Sequence, residues 1–78
     1  MSKKQPTDAR LTHRIVAEAG QWARGATEAK ARAEFKKVHS GRYLKSPQIY
    51  AVTPSMVIDD DGRFSAPRDE YVPPQLLN

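Results

Sequence analysis

The side chains in this sequence that are most capable of chemistry are basic, and they are concentrated in its first half. Residues 1–45 carry eleven Lys and Arg against four Asp and Glu, whereas residues 46–78 carry two Arg against five Asp and Glu. The two halves therefore have formal charges of +7 and −3, and the whole chain has +4. Such an excess of positive charge indicates an anionic partner, and the planar guanidinium of Arg suits phosphate oxygens. The predicted nucleic-acid-binding residues are Arg10, Arg14, Arg24, Arg32, Lys36, Lys37 and Arg42.

Two simpler explanations account for the same charges. The basic half and the acidic half could attract each other within one fold, and a charged helix surface could serve only to face water. Glu18, Glu28 and Glu34 also dilute the positive field along the first half. The charge pattern therefore predicts a nucleic-acid or nucleoprotein partner without excluding either explanation.

A smaller set of apolar residues predicts contact with a protein. Trp22 is the only Trp and has small neighbours, which would let the surface of a partner approach it closely. A single Trp on an alanine-rich surface is, however, more often typical of a residue that fills the chain's own core. The Pro-containing tail is expected either to pack back on its own domain or to lie along a partner. The predicted partner-binding residues are Trp22, Tyr71, Leu76 and Leu77.

The other reactive residue types do not form a recognisable catalytic or metal site. Asp59, Asp60 and Asp61 are consecutive, whereas a calcium loop places its oxygen ligands at alternate positions and ends with a glutamate. His13 and His39 lack the spacing of metal ligands on one helix face, and the chain has no Cys. No serine has the sequence context of a nucleophile, and no glycine-rich loop could hold a phosphate. The sequence therefore predicts a non-enzymatic protein with no cofactor and no metal.

A long helix is the element expected to position the basic residues. Apolar residues recur at intervals of three and four from Leu11 to Ala33, which is the period of an amphipathic helix. Asp8 suits the N-terminal end of such a helix, and Ser40-Gly41 suits a left-handed C-terminal stop. We therefore predict one long or kinked N-terminal amphipathic helix over about residues 8–40.

Gly20 and Gly25 are the weak points of this helix, since each costs about 1 kcal/mol relative to Ala in a helix interior. An alternative divides the segment there and begins a second helix after Thr27, with Glu28 in its first turn. In a DNA-binding helix-turn-helix, residues 27–39 would then enter the major groove, but a third helix and enough large apolar residues are lacking. Because no Pro interrupts the segment, the continuous helix is the favoured alternative.

The second half of the chain has a different character, because its prolines exclude another long helix. QIYAV predicts a short strand, and SMVIDDDGRFSA predicts a hairpin with Asp61-Gly62 as its two-residue turn. The predicted fold is α+β: the N-terminal helix, a small β-hairpin within residues 49–66 and an extended Pro-containing C-terminal tail. The predicted limits are a basic flexible arm at 1–6, a single small domain at 7–66 and the tail at 67–78.

These features together predict a non-enzymatic small basic accessory protein. It would dock on a nucleic-acid-containing assembly through an arginine-rich helix face and its extended tail. One alternative is a small regulatory protein, for example a viral-type inhibitor, that binds a host protein through Trp22 and the tail. A second alternative is a structural subunit of a capsid-like assembly, whose core is completed by its neighbours. Because no apolar run approaches the roughly 20 residues that span a bilayer, and because the start lacks a signal peptide's apolar core, we expect a cytoplasmic protein without a membrane partner.

Overall fold

The described part of the protein, residues 5–40 and 44–78 of a computed structural model, is built around one four-stranded antiparallel sheet. The elements in chain order are β1 (His13–Glu18), β2 (Gln21–Gly25), α1 (Glu28–Val38), β3 (Gln48–Val52), β4 (Val57–Ile58), β5 (Phe64–Ser65), a 3-10 turn (Arg68–Glu70) and β6 (Gln75–Leu76). The sheet order is β2-β1-β3-β6, and β4 pairs with β5 as a separate hairpin. The predicted arrangement of a long N-terminal helix followed by a hairpin is therefore wrong, because two strands precede the one short α-helix of the described residues.

The segment predicted as a helix over residues 8–40 contains a tight β-hairpin. β1 and β2 pair so that Glu18 lies opposite Gln21, which leaves Ala19 and Gly20 as a two-residue turn. Both turn residues have positive φ angles, 53° and 81°, as a turn that matches the twist of the two strands requires. Gly20 adopts this conformation without steric cost, so the glycine that would weaken a helix permits the hairpin.

The helical spacing was misleading because the residues that produced it belong to different elements: Ile15 lies in β1, Trp22 in β2 and Ala29 in α1. Ile15 and Val16 are β-branched and favour a strand. In β1 these consecutive residues point to opposite faces, yet both are fully buried because both faces of the sheet are covered. A strand that is covered on both faces lacks the alternation by which a sequence usually reveals it.

α1 covers only the last part of the predicted helix. The hydroxyl of Thr27 caps its first turn by accepting a hydrogen bond of 3.1 Å from the backbone N–H of Lys30. The helix ends at Val38, and Ser40 has a left-handed conformation with a φ of 54°. This helix matches the alternative that began after Thr27. The predicted left-handed stop is confirmed at Ser40, whereas Gly41 lies outside the described residues.

α1 approaches the backbone of β2 most closely at Gly25. A Cβ atom on Gly25 would lie 2.7 Å from the carbonyl carbon of Lys30, and the backbone nitrogen of Ala31 would be closer still. The missing side chain therefore lets the first turn of α1 rest on the end of β2. Ala31 and Phe35, the buried residues of α1, then pack toward the sheet.

Two apolar clusters lie on opposite faces of the sheet. One contains Val16, Ile49 and Leu77 together with Ala31 of α1. The other is centred on Ile15, Val52 and Met56, and the β4–β5 hairpin packs against it. The sheet is thus covered by a helix on one face and by a small hairpin on the other, which explains how so few large apolar residues bury both faces.

The strand predicted for QIYAV is confirmed as β3, and a hairpin forms within the predicted range as β4 and β5. The predicted two-residue turn is wrong, because residues 59–63 connect the two strands. The carboxylate Oδ1 of Asp59 accepts hydrogen bonds from the backbone N–H groups of Asp61, at 3.0 Å, and Arg63, at 2.9 Å. Gly62 has a φ of 79° and completes this wider loop.

The C-terminal tail packs back on the sheet, which was one of the two expectations for it. The backbone N–H of Leu77 donates a 2.8 Å hydrogen bond to the carbonyl of Ile49, and the Leu77 side chain is fully buried. The Asn78 side chain accepts a hydrogen bond from the N–H of Ile49 at 3.0 Å and donates to the carbonyl of Pro47 at 2.8 Å. The last residues are therefore part of the domain's core and sheet.

Candidate functional site

The arginines predicted to bind nucleic acid do not share one helix face. Arg10 lies before β1 and forms an ion pair with Asp8, with 2.8 Å between Nη2 and Oδ2. Side-chain hydrogen bonds from Arg10 lower the pKa of Asp8 to about 2. Arg14 follows in β1, where its Nη1 donates to the backbone carbonyls of Leu11, at 3.2 Å, and His13, at 2.9 Å.

Arg24 and Arg32 lie on two further surfaces. Arg24 is in β2, and its Nη1 donates a 2.8 Å hydrogen bond to the carbonyl of Met56 below the sheet. Arg32 is in α1 and pairs with Glu28, with 3.2 Å between Nε and Oε2. The predicted arginine-rich helix face is therefore wrong. Arg24 lies opposite Ile15, the residue that follows Arg14, so Arg14 and Arg24 project from opposite faces of the sheet.

Lys36 and Lys37 are the two predicted cations that lie on α1 without an ion pair among the described residues. Both are exposed in the last turn, where a cation favours the helix dipole. Arg42 lies outside the described residues. These lysines remain available to an anionic partner.

The four predicted partner-binding residues are also divided. Trp22 is half-buried in β2 and packs against the cluster below the sheet. Tyr71 and Leu76 are exposed near the C-terminal end, whereas Leu77 is buried in the core and presents no surface to a partner. Of these four residues, Trp22 is the one on β2, which is an outer strand of the sheet.

The outer edge of β2 carries no neighbouring strand among the described residues. Glu18 and Gln21 flank a two-residue turn and therefore exchange backbone hydrogen bonds with each other. Such hydrogen-bonded pairs alternate with non-hydrogen-bonded pairs along β1 and β2, and Trp22 and Arg24 belong to the second kind. The N–H and C=O groups of Trp22 and Arg24 consequently point away from β1. The position of His39 agrees with this register, since its Nε2 lies 3.0 Å from the carbonyl oxygen of Trp22.

A groove of about 520 Å³ runs along this edge, between β2 and the C-terminal part of α1. We call it the edge groove. Its lining includes Gln21, Trp22, Arg24, Glu34, Val38 and His39. Val38, the last residue of α1, is 56% exposed. The side-chain oxygen Oε1 of Gln21 is buried and has no hydrogen-bond partner among the described residues. The groove therefore combines the outward N–H groups of Trp22 and Arg24 with an exposed apolar side chain.

The opposite edge of the sheet is protected in a different way. Beside β6, the Gln75 side chain accepts hydrogen bonds from the backbone N–H of Thr7, at 2.8 Å, and from its hydroxyl, at 3.1 Å. The amide of Gln75 also donates to the carbonyl of Gln5 at 3.1 Å. The N-terminal segment thus covers β6, as proteins commonly cover a vulnerable sheet edge. At the edge of β2, the corresponding side-chain contact within the described residues is that of His39 Nε2 with the carbonyl oxygen of Trp22.

Two charged side chains line the edge groove, Arg24 of β2 and Glu34 of α1. Lys30 and Lys37 lie one turn before and after Glu34 on the surface of α1, outside this lining. Arg24 is therefore the cation of the lining that a negative side chain of a ligand would meet.

Sequence reasoning identified Trp22 but missed the edge groove and Val38. The groove exists only because β2 is an outer strand that lies beside α1, and the helix prediction concealed both facts. The available signal was Ala19-Gly20 between the β-branched residues of β1 and QWARG, a pattern consistent with a hairpin.

Two further findings concern metal binding and membrane crossing. No group of three or more His, Asp or Glu residues in ranges 5–40 and 44–78 could hold a metal ion. Within the same ranges, none of the helices has the length and apolarity needed to cross a membrane.

Comparison with known proteins does not assign the chain to a family. No protein-family model matches it, and neither a curated protein nor a solved structure shows significant similarity to it. The case for function therefore comes from the geometry of this chain alone.

Proposed function

We propose that this protein is a non-enzymatic binding protein that takes up an extended segment of a partner protein as an additional strand beside β2. The observation that carries the proposal is the open edge of β2 next to the edge groove. Strand addition is a common mode of peptide recognition, in which main-chain hydrogen bonds supply affinity and side-chain pockets supply specificity. This function belongs to the class of the predicted small regulatory protein, with Trp22 retained as a central residue.

The register of β2 defines what an added strand would contact. Trp22 and Arg24 offer two N–H donors and the C=O of Arg24 to its backbone, whereas the C=O of Trp22 already lies 3.0 Å from His39 Nε2. Successive side chains of the added strand would alternate between the two faces of the sheet. Those on the α1 face would meet Val38, and those on the other face would meet the side chains of Trp22 and Arg24.

Charge favours an acidic segment over a basic one. Arg24 uses one N–H in its bond to Met56 and retains other N–H donors for a carboxylate. The best ligand is therefore an extended segment in which acidic residues alternate with apolar ones, the apolar residues lying against Val38.

Amide hydrogen exchange measured by NMR tests this proposal directly. In the free protein, the outward N–H groups of Trp22 and Arg24 should exchange faster than that of Ala23, which points to β1. A peptide of roughly nine residues with alternating Glu and Val, a typical strand length, should slow exchange at Trp22 and Arg24. A peptide in which Lys replaces Glu should bind at least about tenfold more weakly, equivalent to about 1.4 kcal/mol.

A pair of helix variants provides the matched control. Val38→Asp places a negative charge in the edge groove, whereas Ala33→Asp places the same charge on an exposed position of α1 elsewhere. Val38→Asp should weaken the Glu/Val peptide by about tenfold, and Ala33→Asp should leave it within about twofold. The proposal fails if the peptide does not protect Trp22 and Arg24, or if the two variants weaken it equally.

Docking on nucleic acid is a second candidate, because three lysines of α1 are exposed beside small residues. These are Lys30, Lys36 and Lys37, and the neighbouring Ala29 and Ala33 are also exposed. Titration of mixed nucleic acid at about 50 mM and about 200 mM salt tests it, since several phosphate contacts lose orders of magnitude in affinity over this range. Salt-sensitive binding that Lys36→Glu and Lys37→Glu abolish would favour this candidate, and absence of binding at both salts would exclude it.

Both candidates assume a cytoplasmic protein, an expectation that comes from the sequence. The lack of Cys is compatible with a reducing compartment. Localisation of a tagged full-length chain by cell fractionation would test this expectation.

A further inference from the structure

A second cavity, of about 220 Å³, lies on the face of the sheet against which the β4–β5 hairpin packs. Three aromatic side chains line it, Trp22 of β2, Tyr50 of β3 and Phe64 of β5. They are half of the chain's six aromatic residues, and each is half-buried. We call this cavity the aromatic recess.

The register of the sheet explains why a recess forms between these rings. Ala17 of β1 lies opposite Trp22 on one side and opposite Gln48 of β3 on the other. Because neighbouring strands are about 4.8 Å apart, β2 and β3 are about 10 Å apart, and the small side chain of Ala17 lies between them. A group placed above Ala17 would thus be about 5 Å from each of the two flanking strands. Tyr50 is on the same face of β3 as Gln48, two residues further along, which is within reach of an aromatic side chain.

The rings of Tyr50 and Phe64 form a corner of the recess. Their centroids are 4.9 Å apart, and their planes are inclined at 64°. The hydroxyl of Tyr50 donates a 3.2 Å hydrogen bond to Oε1 of Gln48, so this acceptor is already engaged. The walls around Ala17 are therefore chiefly aromatic and aliphatic.

The charged groups around the aromatic recess are mainly acidic. Among the described residues, Glu18 is the charged residue of the lining, and its carboxylate accepts hydrogen bonds from two backbone N–H groups before β3. Gly62 brings the β4–β5 loop to the recess, and residues 59–63 of this loop carry three Asp and one Arg, a formal charge of −2. Arg24 projects from the same face but lies outside the lining, and its Nη1 donates to a backbone carbonyl. These charges favour a cation over an anion such as phosphate.

We propose that the aromatic recess binds the trimethylammonium group of a methylated lysine side chain in a partner protein. The face of an aromatic ring attracts a cation within about 6 Å of its centroid, and Trp does so most strongly. An unmodified lysine ammonium carries three N–H donors that need acceptors, whereas a trimethylated one carries none and suits aromatic walls. The acidic β4–β5 loop favours a lysine in a basic segment over a small free cation. The inference does not depend on strand addition beside β2.

Trp22 is the only Trp of the chain, so its emission reports directly on the recess. A short peptide with one trimethyl-lysine flanked by Arg should change this emission saturably and shift the NMR signals of the Ala17 and Tyr50 amides. Two matched peptides should bind at least about tenfold more weakly, one with unmodified lysine and one in which carbon replaces the ammonium nitrogen. Equal binding of the three peptides, or no saturable change with any, overturns the proposal.

Two further probes test the choice of occupant. Tetramethylammonium alone should bind more weakly than the methylated peptide, because it gains nothing from the acidic loop. If it binds as tightly, the recess holds a small free cation and not a lysine side chain. Saturable binding of a nucleoside, without binding of the methylated peptide, would assign the recess to base stacking instead.

Variants of the recess separate binding from folding. Trp22→Leu removes one aromatic wall and should weaken the methylated peptide at least about tenfold by NMR titration, whereas Tyr71→Leu, which removes an exposed ring elsewhere, should leave it within about twofold. Ala17→Val fills the recess with a β-branched residue that suits a strand, so it should abolish binding while the protein still melts cooperatively. If folded Trp22→Leu and Ala17→Val proteins bind the methylated peptide as the wild type does, the recess is not its site.

Discussion

Replacement of Gly25 with Ala tests the fold sharply, because a helix and the observed hairpin predict effects of opposite sign. In a helix interior, Gly→Ala stabilises a protein by about 1 kcal/mol. In this structure the added Cβ would lie 2.7 Å from the Lys30 carbonyl carbon and 2.9 Å from Ala31 Cα. These are backbone atoms of α1, which cannot move aside as the end of a flexible side chain can. α1 must therefore shift away from β2.

The cost of this shift follows from the packing of α1. Extra atoms forced into a packed interior cost about 1–3 kcal/mol, and this site is at the upper end because the helix moves as a unit. The shift also disturbs Ala31 and Phe35, both fully buried. We expect Gly25→Ala to lose ~3 kcal/mol, or ~15 °C in Tm for a domain of this size. Against a total stability of ~4–12 kcal/mol, that is a large fraction.

Urea denaturation followed by the emission of Trp22, the only Trp, measures this loss. Gly20→Ala is the control, because nothing lies within 4 Å of its added Cβ and only the left-handed φ of 81° resists the change. That variant should lose about 1 kcal/mol. A Gly25→Ala protein as stable as the wild type, or more stable, would refute the close approach of α1 to β2.

Two further predictions concern backbone conformation and charge. Ala19→Gly should raise the urea midpoint by the equivalent of about 0.5–1 kcal/mol, because Ala19 has a φ of 53° that glycine adopts without strain; a lower midpoint would indicate a helix instead of the turn. For Asp8, hydrogen bonds from the Arg10 side chain hold the pKa at about 2, against an ordinary value of 3.8. Because this pKa is lowered by folding, the contribution of Asp8 to stability is present above pH 3.8 and is lost as the pH falls toward 2. NMR titration should show the Asp8 pKa returning toward 3.8 in Arg10→Gln, and an unchanged titration would argue against the ion pair.

The elements that the sequence predicted correctly are those with strong local signals. β3 has β-branched and aromatic residues in one short run, and the hairpin region contains Gly62, which takes the left-handed conformation of its loop. Thr27 caps α1, as the less favoured alternative of a second helix expected, and Ser40 ends it in a left-handed conformation. Each of these features depends on contacts within a few residues, so the local sequence is sufficient to indicate it.

The error over residues 8–40 came from a segment whose local signals were balanced. Its alanines at helical spacing supported a helix, whereas Ile15, Val16 and Gly20 supported a hairpin. Pairing of β1 with β3, in which Ile15 lies opposite Tyr50 and Val16 opposite Ile49, favours the strand. These partners are more than thirty residues away in the sequence, so no local pattern contains them.

The candidate sites show the same division. The sequence alone determined the basic and acidic halves, the single Trp and the lack of Cys, and these follow from composition. Only the tertiary structure decided that Arg14 and Arg24 face opposite ways, that Leu77 is buried and that β2 has an open edge beside Val38. It also brought Trp22, Tyr50 and Phe64 into one recess. The physical reason is that exposure, sheet edges and cavities depend on how distant segments of the chain pack together. A periodic pattern made largely of alanines does not specify that packing.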